Sequence, residues 1–106
     1  MRHEEENRPD LIPAVGMGIT VQVGSDRYPG TIVSATAARF SFQLDRFERA
    51  DKNGQSENQR WICTPNPRAK IERAHRHGNR WYTGTRRTGR SIVYLGIRDP
   101  YQDPSF

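Results

Sequence analysis

Apolar and polar residues alternate along most of this chain, in short stretches broken by turn residues. Ile19, Val21 and Val23 are separated by Thr20 and Gln22, the period-two pattern of a half-buried strand. Residues 24–27 (GSDR) make a turn, and 28–34 (YPGTIVS) a second strand, with Pro29 and Gly30 marking an edge or a bulge. After a short reversal at 35–38, Phe40, Phe42 and Leu44 alternate with Ser41 and Gln43 as a third strand. Residues 45–58 (DRFERADKNGQSEN) carry no apolar face at helical spacing and hold a turn signal at Asn53-Gly54, which predicts a long hairpin loop. Strand rhythm resumes at 59–64 (QRWICT) and is turned by Pro65-Asn66-Pro67. Residues 69–76 (AKIERAHR) suit a short helix or a hairpin arm, and Gly78-Asn79 immediately after favours the arm, with 80–83 (RWYT) as its partner. Residues 85–89 form a basic loop and 91–95 (SIVYL) a last strand. Six or seven short strands with closely spaced turns predict an all-β, antiparallel barrel or sandwich with long loops.

The chain has 106 residues, enough for one domain. Residues 1–13 are polar with two prolines and read as a flexible arm, whose consecutive glutamates Glu4, Glu5 and Glu6 solvate it. The barrel is expected over 14–97. The segment 98–106 (RDPYQDPSF) is too apolar to be only a solvated end, so it is expected to dock on its own domain or on a neighbouring protomer. Only 33% of residues are apolar, a thin core for a small domain, so self-association into a dimer or tetramer is expected. The absence of any bilayer-length apolar run and of a signal-type leader predicts a soluble, intracellular protein with no membrane partner. Cys63 is the sole cysteine, which excludes an intrachain disulfide and a cysteine-based zinc site.

Charge changes the picture. Net charge is +5, and 15 of the 17 basic residues are Arg. Arginine offers a planar fork for phosphate and a face that stacks on bases, although a GC-rich genome also favours it. The candidate site joins Arg27 and Tyr28 after the first turn, Gln59, Arg60 and Trp61 at one strand start, and Arg80, Trp81 and Tyr82 at another. A nucleotide needs a ring to stack on, amides or carboxylates for base edges and Arg for phosphate, and all three occur here. Trp61 and Trp81 are expected to point inward with Cys63, and for either Trp alone a core position is the stronger reading. The loop 51–59 adds Asp51, Asn53, Ser56 and Gln59 as polar contacts, against the plainer reading of a solvated hairpin loop. Its acidic spacing fails the calcium-loop pattern. The run 85–90 (TRRTGR) suits an anion loop or a solvated hairpin tip equally. His75-x-His77 lacks a third ligand, so no metal is expected. No nucleophile, phosphate-loop or metallopeptidase motif appears, and neither a cofactor nor enzymatic activity is expected.

The run 16–33 (GMGITVQVGSDRYPGTIV) resembles the opening of SH3-like barrels of the Tudor type, in which an apolar strand, an Asp-containing turn and a YPATIV-like strand follow in that order. A family of small phage proteins is similar over 15–106: VGMG at 15–18, SDRYP at 25–29, DKNGQSENQRW at 51–61, TPNP at 64–67, GNRW at 78–81 and the terminal YQDPSF. The chain departs from that pattern at His77-Gly78-Asn79-Arg80, where the family places Asn before Gly. The resemblance implies a small SH3-like barrel acting in the cytoplasm of an infected bacterium. It further implies a non-enzymatic, anti-defence sponge that sequesters a cyclic nucleotide, such as the cyclic dinucleotide signal of CBASS or the signal of Thoeris immunity. The residues themselves also support an SH3-like module that binds nucleic acid. Against it, Glu48, Asp51 and Glu57 interrupt the basic character near the expected binding loops.

Overall fold

The computed structural model describes residues 11–50, 59–85 and 89–102. Its strands are β1 (Gly18–Val23), β2 (Asp26–Ala35), β3 (Arg39–Leu44), β4 (Arg46–Arg49), β5 (Trp61–Thr64), β6 (Glu72–His77), β7 (Arg80–Thr85) and β8 (Gly89–Leu95). Six of them close a barrel in the order β1-β2-β3-β6-β7-β8, while β4 and β5 form a separate two-stranded sheet. Every pairing is antiparallel. No helix occurs among the described residues, and none is long and apolar enough to cross a membrane. The expected small SH3-like barrel is thus the observed fold, with six strands in the barrel and two outside it.

Alternation decides which side chains enter the barrel. Ile19, Val21, Ile32, Phe40, Phe42, Ala74, Trp81, Val93 and Leu95 form its buried cluster. Trp81 fills the centre against Phe40, ring centroids 5.1 Å apart. Two-residue loops hold the hairpins tight. Val23 pairs with Asp26 across Gly24-Ser25, and His77 with Arg80 across Gly78-Asn79. In each only the first loop residue has positive φ, +61° at Gly24 and +64° at Gly78, so Gly-Asn satisfies this turn without the reversed order.

Three expectations are corrected. Residues 46–49 are a strand rather than loop, because β5 supplies a partner: Phe47 lies opposite Cys63 and Arg49 opposite Trp61. Trp61 and Cys63 therefore sit half-buried on this hairpin, not in the barrel core. Phe47 is wedged between Tyr28 and Trp61, with centroids at 5.9 Å and 5.1 Å, which seats the hairpin against the barrel. The irregularity in β2 falls between Ile32 and Ser34, beyond Pro29-Gly30. Pro29 lies one residue before the β3 register, which begins at Gly30, and on that side its carbonyl accepts from the Asp45 N–H at 2.9 Å. A residue without an N–H is tolerated there.

Residues 98–102 run back over their own barrel. Thr20 faces outward yet is 1% exposed: its hydroxyl donates to Ile97 O at 2.7 Å and accepts from the Asp99 N–H at 2.9 Å. Tyr101 exchanges both backbone bonds with Arg27, at 2.8 and 3.0 Å. Arg98 reaches Asp45, Nε to Oδ2 at 2.9 Å. Its Nη2 donates to the Thr31 hydroxyl, which in turn donates to Asp45 Oδ1.

Candidate functional site

With Phe40, Ala74, Trp81 and Val93 inside, their chain neighbours must face out. Register then aligns Arg39, His75, Tyr82 and Ile92 in one row across β3, β6, β7 and β8. Beside that row stand Arg73 opposite Ser41, Arg90 opposite Gly84, and Arg80 opposite His77. Arg39, Arg73, Arg80, Arg90 and His77 are exposed, whereas His75 and Tyr82 are half-buried. The His75 and Tyr82 rings lie 6.5 Å apart and 35° from coplanar. The Arg90 guanidinium stands over the Tyr82 ring at 5.3 Å.

The charge on this face is of one sign among the described residues. Asp45 and Asp99 are ion-paired to Arg98 and Arg27. Glu48 is on β4 and Asp26 closes the β1–β2 hairpin. Glu72 lies opposite Phe42 and so shares the inward phase. Among the described residues no ion pair involves Arg39, Arg73, Arg80 or Arg90. Repulsion between solvated guanidiniums is small, about 0.4 kcal/mol for a pair 10 Å apart in water, so the fold tolerates the cluster. A multivalent anion would meet all of it at once.

One edge of the face is concave. An open cleft of about 780 Å³ lies between the β2–β3 connection and β6, lined by Ser34, Thr36, Arg39, Arg73, His75 and Arg76 among others. Arg76 is held at the rim by Nε, which donates to Gly78 O at 3.0 Å. Backbone groups, hydroxyls and cations here suit an anionic ligand. No group of three or more His, Cys, Asp or Glu among the described residues is placed to hold a metal ion.

The residues singled out from sequence separate into three places. Arg80 and Tyr82 lie on the basic face. Trp81, between them, is 2% exposed and fills the core, so it has no surface on which to stack a ligand. Arg27 is committed to the chain's own tail: Nε donates to Asp99 O at 2.9 Å, Nη2 pairs with Asp99 Oδ2 at 3.2 Å, and the guanidinium covers Tyr101. Tyr28 packs edge-on against Phe47. Gln59 donates from Nε2 to Gln102 O at 2.7 Å, while its Oε1 accepts from Gln102 N and Trp61 Nε1. Asp51, Asn53 and Ser56 lie outside the described residues, as do 86–88 of the basic loop.

Arg39, Arg73 and Arg76 fall outside every expected site, Arg90 is expected only within the anion loop at 85–90, and His75 enters only with His77 as an incomplete metal pair. Their signal is nevertheless in the chain: RFSF and ERAHRH set Arg or His at positions beside the buried Phe40 and Ala74.

Away from this face, Cys63 sits half-buried on β5. Burial pushes its thiol up, and the Asp45 carboxylate adds to that, while Arg98 partly opposes it. Such a thiol is a poor nucleophile. Comparison of the chain with protein-family models, curated proteins and solved structures finds no match.

Proposed function

We propose that this barrel binds nucleic acid through the outer face of β3, β6, β7 and β8. The observation that carries the reading is the set Arg39, Arg73, Arg80 and Arg90 around His75 and Tyr82, which has no carboxylate paired to it among the described residues. Guanidiniums on adjacent strands, about 4.8 Å apart, present several forks to successive phosphates without rearrangement of the backbone. Binding of this kind needs no acid/base pair. Four phosphate contacts give a slope of log K against log salt of about −2.8 on a single strand, and each Arg removed lowers its magnitude by about 0.7. The test is fluorescence anisotropy of a labelled oligonucleotide at a series of salt concentrations, with wild type, Arg39→Ala and Arg73→Ala. Weakening in both variants together with a shallower slope supports the assignment. Folded variants with unchanged affinity and slope overturn it.

A second reading rests on the cleft. Its volume, about 780 Å³, falls among small-molecule sites of roughly 300–1,000 Å³, and Arg39, Arg73 and Arg76 line it. The resemblance to small phage anti-defence proteins makes the ligand a cyclic dinucleotide, sequestered intact in the infected cell. The cleft is open on one side, so this reading calls for a second copy to cover the ligand in a dimer or tetramer. Incubation with cyclic dinucleotides, followed by heat release, distinguishes the two. Stoichiometric recovery of intact ligand from an oligomer supports sequestration; a monomer that binds oligonucleotides alone supports the polymer interface.

A further inference from the structure

We infer that the nucleic acid this face selects is a single strand with unpaired bases, which stack on a platform built by His75, Tyr82 and Arg90. The inference rests on the nucleic-acid reading above and specifies its ligand. Three planar π-surfaces adjoin here: an imidazole 6.5 Å from a phenol ring, and a guanidinium over that same ring at 5.3 Å. They sit inside the cationic field, with Arg39 and Arg73 on the side of β3 and β6 and Arg80 at the β6–β7 turn. All are carried by strands of a closed barrel, so the platform is set before any ligand arrives and little ordering is required on binding.

A duplex cannot use this arrangement. Its base faces are hidden in the stack, and it offers a protein only phosphates and groove edges. The face is also too broad for a groove. Four adjacent strands span about 14 Å between their outer axes at 4.8 Å each, whereas the major groove is about 12 Å wide and admits a two-stranded ribbon. Against a duplex Tyr82 would be idle and only the arginines would engage. A single strand exposes its bases, and base–aromatic stacking tolerates any sequence. Gln22 accepts from the Tyr94 hydroxyl and Gln43 donates to Pro67 O and Ala69 O, which leaves Asn79, exposed in the β6–β7 turn beside Arg80, as the amide at the edge of this face. With stacking at its centre and a single amide at its edge, the site takes single strands with little sequence preference.

The test compares a labelled oligothymidylate, an abasic strand of the same length and a duplex of the same length, each titrated by anisotropy against wild type, Tyr82→Ala, Tyr82→Phe and Arg73→Ala. Wild type is expected to bind the thymidylate more tightly than the abasic strand or the duplex. Tyr82→Ala should weaken thymidylate binding by roughly 5- to 150-fold and leave the abasic strand unaffected, with Tyr82→Phe close to wild type. Arg73→Ala should weaken all three ligands. Equal wild-type affinity for thymidylate and abasic strand overturns the inference without any variant, and so does a duplex bound as tightly as the single strand. If either result comes with an Arg73→Ala effect, the phosphate-binding face stands and only the stacking platform falls. If no oligonucleotide binds, both fall.

Discussion

The link between Arg98 and Asp45 yields a prediction whose size and asymmetry follow from burial. The Asp45 side chain is 0% exposed and that of Arg98 is 30% exposed. Both carboxylate oxygens are satisfied, Oδ2 by Arg98 and Oδ1 by the Thr31 hydroxyl. Arg98→Met keeps the aliphatic stem, removes the guanidinium, and strands a buried carboxylate with one hydroxyl partner. Breaking a fully buried pair from one side costs about 3–5 kcal/mol. Because Arg98 is nearly a third exposed, water partly replaces it, and the expected loss falls to about 2–3 kcal/mol. In a domain of this size that is a drop in Tm of roughly 10–20 °C. Asp45→Asn instead leaves the charge on Arg98, which turns to solvent, so about 1 kcal/mol is expected. The double variant removes both charges and should recover at least half of the Arg98→Met loss. Urea unfolding of the four proteins, analysed as a double-mutant cycle, measures this. An Arg98→Met loss within about 0.5 kcal/mol of zero, or an Asp45→Asn loss larger than that of Arg98→Met, refutes the account.

Two more outcomes follow. A Cβ on Gly18 would stand 2.6 Å from Arg98 Nη1 and 2.9 Å from its Cγ, and the guanidinium cannot swing aside without leaving Asp45; Gly18→Ala should therefore cost about 1–3 kcal/mol by urea unfolding, falling close to zero in an Arg98→Ala background. Burial, reinforced by the Asp45 carboxylate, raises the Cys63 thiol, so the folded state holds that proton to higher pH than the unfolded chain. Its stabilising contribution is complete below the ordinary thiol pKa of about 8.5 and is lost as pH rises through the raised value. Wild type should lose more stability than Cys63→Ser as pH rises above about 8.5, and parallel curves would count against the shift.

Much of the barrel was legible because its strands alternate. GITVQV and RFSFQL place Ile19, Val21, Phe40 and Phe42 at every second position, and all four are buried; the rule fails at Thr20, which residues 97–99 cover from outside, and at Val23, which is exposed at the hairpin end. RFER over 46–49 holds one apolar residue, so nothing local marks it as a strand. Its pairing comes from β5, across a segment of polar residues. The site was legible only in part. Arg80, Trp81 and Tyr82 are consecutive, and period two itself forbids all three from serving one surface, so Trp81 goes inward when Tyr82 goes outward. Arg27 and Gln59 had the right chemistry for a ligand, yet both are taken by 99–102, which a local reading cannot see. The row Arg39–His75–Tyr82 depends on register between three strands, and register is a tertiary property.

The circular strand order has a consequence for how the molecule is made. Up to the β4–β5 excursion the chain builds one meander, β1-β2-β3, and after it another, β6-β7-β8. Each can form from neighbouring hairpins, but neither encloses a core alone: Trp81 belongs to the second meander, and the Phe40 against which it packs belongs to the first. Two seams must then meet, β3 on β6 and β1 on β8. The latter joins strands from opposite ends of the barrel sequence. Non-local closure places folding in the millisecond-to-second range typical of small barrels. Until the seams shut, β1, β3, β6 and β8 each present an open edge, and the half-built barrel is the species most exposed to mispairing with another copy.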